Sequence, residues 1–173
     1  FTAYELNRVN PEVRILMIEK GHSLDRRICP IGRKKSETCQ NCSVCSVVSG
    51  FGGSGSMSDG KYNITNNFGG DLHKYIGEEK ALELMHYVDK VNCSMGGEGA
   101  RLYSTANSRL RTETLRNDLH LLDAQVRHFG TDRNKVILSN MYEYLKDRVE
   151  LLLDCEVLDV SDEDGCFVVN TAD

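Results

Sequence analysis

The chain has 173 residues, enough for one ordinary domain, or a domain with an insertion, and for a real apolar core. It is 40% hydrophobic and 27% charged, as globular proteins are, and its net charge of −5 argues against nucleic acid, whose phosphates call for a basic excess. No run of about eighteen apolar residues exists to span a membrane. Seven cysteines, an odd number in a chain longer and sparser in Cys than the small disulfide scaffolds, point to a reducing, cytoplasmic compartment.

In chain order, "FTAYELNRVNPE" (1–12) reads as a helix with Ala3, Leu6 and Val9 at helical spacing and Pro11 closing it. "VRILMIEKG" (13–21) is a short apolar run that predicts a strand buried on both faces, as in a parallel sheet. Residues 22–70 show no sustained periodicity, and a stretch of that kind is functional or disordered. "GEEKALELMHYVDKV" (77–91) is an amphipathic helix carrying Ala81, Leu84, Met85, Val88 and Val91 on one stripe. "RTETLRNDLHLL" (111–122) predicts a second, through Leu115, Leu119 and Leu122. "DAQVRHFGTD" holds a strand ending at His128, and "RNKVILSNMYEYLKDR" (133–148) a further helix. "VELLLDCEVLDV" (149–160) and "CFVVNTAD" (166–173) predict two strands joined by the turn "SDEDG". The alternation favours α/β.

Three features carry chemistry. The first strand ends in Glu19, and a carboxylate there can accept hydrogen bonds from both hydroxyls of an adenosine ribose; the alternative is a solvated strand-end acid. The acid of the dinucleotide fingerprint follows its glycine turn by about 20 residues, which puts that turn just ahead of Phe1. The helix over residues 1–10 would then present its N-terminus to a pyrophosphate.

The second feature is "SGFGGSGSMSDGK" (49–61). Glycine backbone lets N–H groups approach an anion, with Ser54, Ser56 and Ser58 as further donors and Lys61 as counter-charge. A flexible linker is the alternative. Tyr62 stands where a Walker motif needs Ser or Thr, which rules out an NTPase loop.

The third is Cys39, Cys42 and Cys45 in C-x2-C-x2-C, with Cys29-Pro30 ahead. Four thiolates suit zinc or an iron–sulfur cluster; a dithiol exchanging electrons and plain reduced thiols are the other readings. Cys93, Cys155 and Cys166 read as packing residues. His128 is a candidate acid–base group, set against an ordinary structural histidine. Arg26 and Arg27 read as a solvated pair or a phosphate contact, and "SDEDG" lacks calcium-ligand spacing.

The segments "AYELNRVNPEVRILMIEKG", "RRICPIG", "CQNCSVCSVVSGFGGSGSMSDGK", "GGDL", "VRHFGTD" and "NMYEYLK" together resemble the bacterial and archaeal FAD-dependent dehydrogenases of mostly unassigned substrate, in the two-dinucleotide-binding-domain flavoproteins. The resemblance implies Glu19 as the ribose acid, with Lys20 beside it. It implies that Gly52, Gly53, Ser54, Gly55, Ser58, Asp59 and Lys61 pass along the FAD, and that Val157 meets the adenine edge through its backbone. "KYNITN" (61–66) is also similar to a stretch that follows the glycines in a related flavoprotein family. Members of the family carry the glycine turn ahead of the position of Phe1, and a substrate domain and closing flavin motif beyond that of Asp173.

The expectation is therefore a partial Rossmann-like FAD-binding domain. It comprises a helix–strand start (1–21), a Cys/Gly-rich cofactor loop (22–70), a mostly helical insertion (71–148) and a strand with terminal β-hairpin (149–173). Its function would be that of the FAD-binding portion of a flavin-dependent oxidoreductase, inactive alone, with a small-molecule substrate or electron donor or acceptor and NAD(P) as a possible co-substrate. The alternative is a cysteine-rich zinc or iron–sulfur module without flavin, built on Cys29, Cys39, Cys42 and Cys45. No catalytic residue is assigned.

Overall fold

The structure, a computed structural model, describes residues 1–172; Asp173, the last residue of the expected final strand, lies outside the described residues. The chain is mixed α/β, with three small sheets among the described residues. It divides into two compact units, one made of Phe1–Met57 and the chain from Leu138 onward, the other of Ser58–Ile137.

In the first unit, helix α1 (Thr2–Val9) buries Ala3 and Asn7 and carries a Glu5–Arg8 ion pair on its exposed side. Strand β1 (Leu16–Ile18) pairs in parallel with β5 (Glu150–Leu152), in the register Leu16↔Glu150 to Ile18↔Leu152. Helix α5 (Gly130–Lys146) leads into β5, and a parallel strand needs a crossover connection of this kind. In its second half Met141 and Leu145 are buried, and the Tyr144 ring lies 5.0 Å from that of Tyr4 in α1. The expected burial of β1 on both faces is not realised: Leu16 is 53% exposed, because the sheet has two strands rather than a continuous layer.

The expected strand over 149–160 is broken. The backbone at Asp154 turns left-handed (φ 59°), ending β5 before β6 (Glu156–Glu163) begins. Strand β6 pairs antiparallel with β7 (Cys166–Ala172). The turn between them is shorter than "SDEDG": Ser161, Asp162 and Glu163 are in the ladder, and Asp164 (φ 53°) with Gly165 (φ 83°) makes the two-residue connection that a right-twisted hairpin favours.

In the second unit, β2 (Lys61–Ile64), β3 (Leu102–Ser104) and β4 (Gln125–His128) form an antiparallel sheet with β4 central. Helix α2 (Leu72–Ile76) is separated from α3 (Glu78–Asn92) by Gly77, whose φ of 86° interrupts the helix. Ala81 and Val91 of α3 are buried, while Leu84, expected on the same stripe, is exposed. Ala100, Phe129 and Ile137 form a core cluster against which Tyr62, Cys93 and Met95 pack. A π-turn, Cys93–Gly97, ends α3 under Phe129. A Cβ on Gly97 would stand 2.4 Å from that ring, so only glycine fits there.

Helix α4 (Leu110–Arg116) stops six residues short of the expected 111–122. Asp118 turns left-handed (φ 54°), and Leu115, Leu119 and Leu122 are left exposed. Strands β2 and β3 were not legible, since three or four residues are too few to show alternation; pairing with β4 defines them. No described helix is long and apolar enough to cross a membrane.

Candidate functional site

The end of β1 and the glycine run form one locus in the first unit. Glu19 closes β1 through its backbone: its N–H donates to Leu152 O and its carbonyl accepts from Cys155 N–H. Its carboxylate Oε1 accepts from Gly21 N–H at 2.7 Å and from Gly50 N–H at 2.8 Å. A Cβ on Gly21 would lie 2.3 Å from Gly50 N, so the two backbones touch and glycine is required.

Arg27 holds the other side of the run and is 5% exposed. Its Nε donates to Ser46 O, one terminal nitrogen to Val47 O, and the other to Phe51 O at 2.9 Å, Gly53 O at 2.7 Å and Ser56 Oγ. Burial lowers the pKa of this guanidinium, opposed by the charges of Glu19 and Cys45. The expectation of a solvated arginine pair therefore fails for Arg27. Arg26 is the exposed member, paired with Asp154 Oδ2 at 2.8 Å. The Phe51 ring packs edge-on against Tyr142 at 5.1 Å, and Ser54–Met57 close the run in a 3₁₀ turn. The glycine stretch is thus a pinned loop rather than a linker. A Cβ added at Gly53 or Gly55 would meet nothing within 4 Å, whereas Gly52 packs on Leu138 and Ser56.

The other expected residues divide between the units. Lys20 pairs with Glu156 at 2.5 Å. Val157 is opposite Thr171 in the hairpin ladder, next to an irregularity before Asp159. Ser58, Asp59 and Lys61 belong to the second unit. There Ser58 Oγ accepts from Gly60 N–H, and the Lys61 ammonium, 2.7 Å away, holds the exposed Asp59 carboxyl below its usual range. His128 is exposed and opposite Lys61 in the ladder. The sequence reading missed Asp154, whose left-handed backbone projects its carboxylate to His22 Nδ1 and Arg26. The His22 bond first, and Arg26 after it, lower the Asp154 pKa.

The four cysteines of the loop come together. Cys29, half-buried, and Cys39, Cys42 and Cys45, exposed, all line one cavity of 300 Å³ in the first unit. None is in a disulfide, and among the described residues no three His, Cys, Asp or Glu side chains are grouped to hold a metal ion. The Cys45 thiol is lowered in pKa by the backbone N–H groups of Val48 and Val47, with a further contribution from Arg27, which raises its thiolate fraction. Of the remaining cysteines, Cys155 is buried. Cys93 is half-buried, its pKa raised by burial. Cys166 is exposed, against the packing role expected for it.

The second unit carries a separate groove of 720 Å³. Three polar atoms that line it, Asn66 Oδ1, His73 Nδ1 and Gln125 Oε1, are buried without a hydrogen-bond partner among the described residues. Asn66 Nδ2 donates to Glu78 O, which fixes the amide so that its oxygen is the unpaired side. Buried polar groups are ordinarily satisfied, so three in one groove mark a place for a hydrogen-bonding ligand or for water. Only Asn66, within "KYNITN", was singled out in the sequence. His73 and Gln125 come from α2 and β4, and no local pattern joins them.

No family model, curated protein or solved structure matches the chain.

Proposed function

We propose that the chain is the FAD-binding part of a flavin-dependent oxidoreductase that acts on a small molecule, with NAD(P) as one candidate electron donor. The observation that carries this reading is Glu19. Its carboxylate ends a parallel strand and spends Oε1 on Gly21 and Gly50, and Oε2 has no donor among the described residues. A ribose diol presents the donors that this second oxygen lacks. The glycine run supports the same reading: Arg27 gives it a defined shape, and the backbone at Gly53 and Gly55 has room for a ligand beside it. A helix, α5, that runs into a strand parallel to β1 is compatible with a dinucleotide-binding fold, which joins its parallel strands through helices.

In this reading FAD supplies the redox chemistry and the chain supplies binding and orientation. Glu19 would hold the adenosine ribose, the Gly52–Gly55 backbone would follow the cofactor, and Val157 would offer main-chain groups to the adenine. The test is a titration of FAD into the chain, followed by flavin fluorescence. A saturable change that ADP-ribose competes away is expected. A linear, unsaturated response together with no competition would overturn the proposal.

A further inference from the structure

The cysteine cavity has no role in the flavin reading and stands on observations of its own. Residues 19–53 carry no helix or strand, and a stretch that long inside a compact unit needs an anchor. Arg27 anchors its second part, through Ser46, Val47 and the glycines. The part from Cys29 to Cys45 has no such centre. Its side-chain hydrogen bonds link Ser36, Thr38, Gln40, Cys39 and Asn41, each to a neighbour at most four residues away. Its Ile31 is 42% exposed, and Ile28, just ahead of it, is 37% exposed. What this part does have is four thiols around one 300 Å³ cavity.

Asn41 stands left-handed (φ 47°) between Cys39 and Cys42, and the turn brings both residues to the same cavity. Cys29-Pro30 reaches that cavity from ten residues upstream of Cys39. A single zinc ion requires four sulfurs about 2.3 Å from one point. All four of these cysteines border one space. A four-iron core keeps its thiolates farther apart, each on a different iron, and C-x2-C-x2-C with a remote Cys-Pro is a ligand run suited to it.

We propose that Cys29, Cys39, Cys42 and Cys45 ligate a [4Fe–4S] cluster that organises residues 28–45. Assembly is a ligand exchange with no net electron transfer: each thiol gives its proton to solvent and binds one iron, while two ferrous ions, two ferric ions and four sulfides are supplied from outside the protein. The proposal does not rest on flavin binding.

The test is anaerobic reconstitution of the chain with iron salts and sulfide, then desalting and assay of iron, zinc and acid-labile sulfide. About four irons and four sulfides per chain are expected. Retention should fall to background in Cys39→Ser and Cys42→Ser, and stay at the wild-type level in Cys166→Ser, whose thiol is exposed elsewhere. One zinc per chain with no sulfide would overturn the cluster. So would absence of retained iron with all four thiols open to a thiol reagent, or equal loss in Cys166→Ser. Circular dichroism of each variant separates a lost ligand from a lost fold, and FAD titration of the same samples reads the flavin proposal separately.

Discussion

Two arginines in this chain, Arg27 buried and Arg127 half-buried, are satisfied in opposite ways. In the second unit Arg127 meets Asp89 through two hydrogen bonds, at 3.0 and 2.7 Å, and gives its remaining nitrogen to Ala100 O. The carboxylate raises its pKa. In the first unit Arg27 has no carboxylate in contact among the described residues; carbonyl oxygens and one hydroxyl surround it, and burial lowers its pKa. The paired arginine ties α3 to β4 in a unit with a sheet and an apolar cluster. The carbonyl-bound arginine substitutes for secondary structure, gathering backbone acceptors that no strand or helix satisfies.

The largest expected effect breaks the paired site. Asp89→Ala removes both charge-assisted hydrogen bonds made to the half-buried Arg127 and should cost about 3–4 kcal/mol in urea unfolding. A loss under about 1 kcal/mol would mean that the pair carries no more than a surface bridge. Arg27→Lys should cost about 3 kcal/mol, because an ammonium cannot reach acceptors on both sides of a planar fork. Proteolysis should then open the chain between residues 45 and 57 before any other segment.

The exposed Arg26–Asp154–His22 group sharpens the contrast through pH. The Asp154 pKa lies below its ordinary 3.8 in the folded chain. Its contribution is therefore present above that unfolded value and is lost as pH falls through the lower folded one. Asp154→Asn should make the acid unfolding curve shallower below about pH 4 and leave its shape near neutrality unchanged. The smallest effect comes from the reverse case, a buried acceptor with no donor. Gln125→Leu removes one of the groove's unpaired atoms and should be neutral or stabilising by up to about 1 kcal/mol without ligand. Marked destabilisation would show that the amide is satisfied in solution.

The sequence was most legible where periodicity was long. Helices α1, α3 and α5 and the strand at His128 are near their expected positions, because their apolar spacing reports a packed face. It was least legible where a single residue turns the chain left-handed, as at Asp154, which splits an expected strand, and Asp118, which cuts α4 short. Alternation and stripes carry no sign of φ. At the candidate site, Glu19 and the glycine run were visible as separate features. Their junction at Gly50 was not, nor was the inward turn of Arg27, since both depend on contacts between residues 26 and 31 positions apart. The groove's Asn66, His73 and Gln125 lie on three separate segments and left no pattern to read.

Glu19→Gln tests the central claim most directly. The amide retains an oxygen to accept from Gly21 and Gly50 and loses the second acceptor offered to a ribose. Measured side by side with the wild type, the variant should keep its melting temperature within about a degree and bind FAD and ADP-ribose at least about tenfold more weakly, the loss of one charge-assisted hydrogen bond. Equal affinity in both proteins, with equal stability, would contradict the assignment of Glu19 to the ribose and with it the flavin reading of the site.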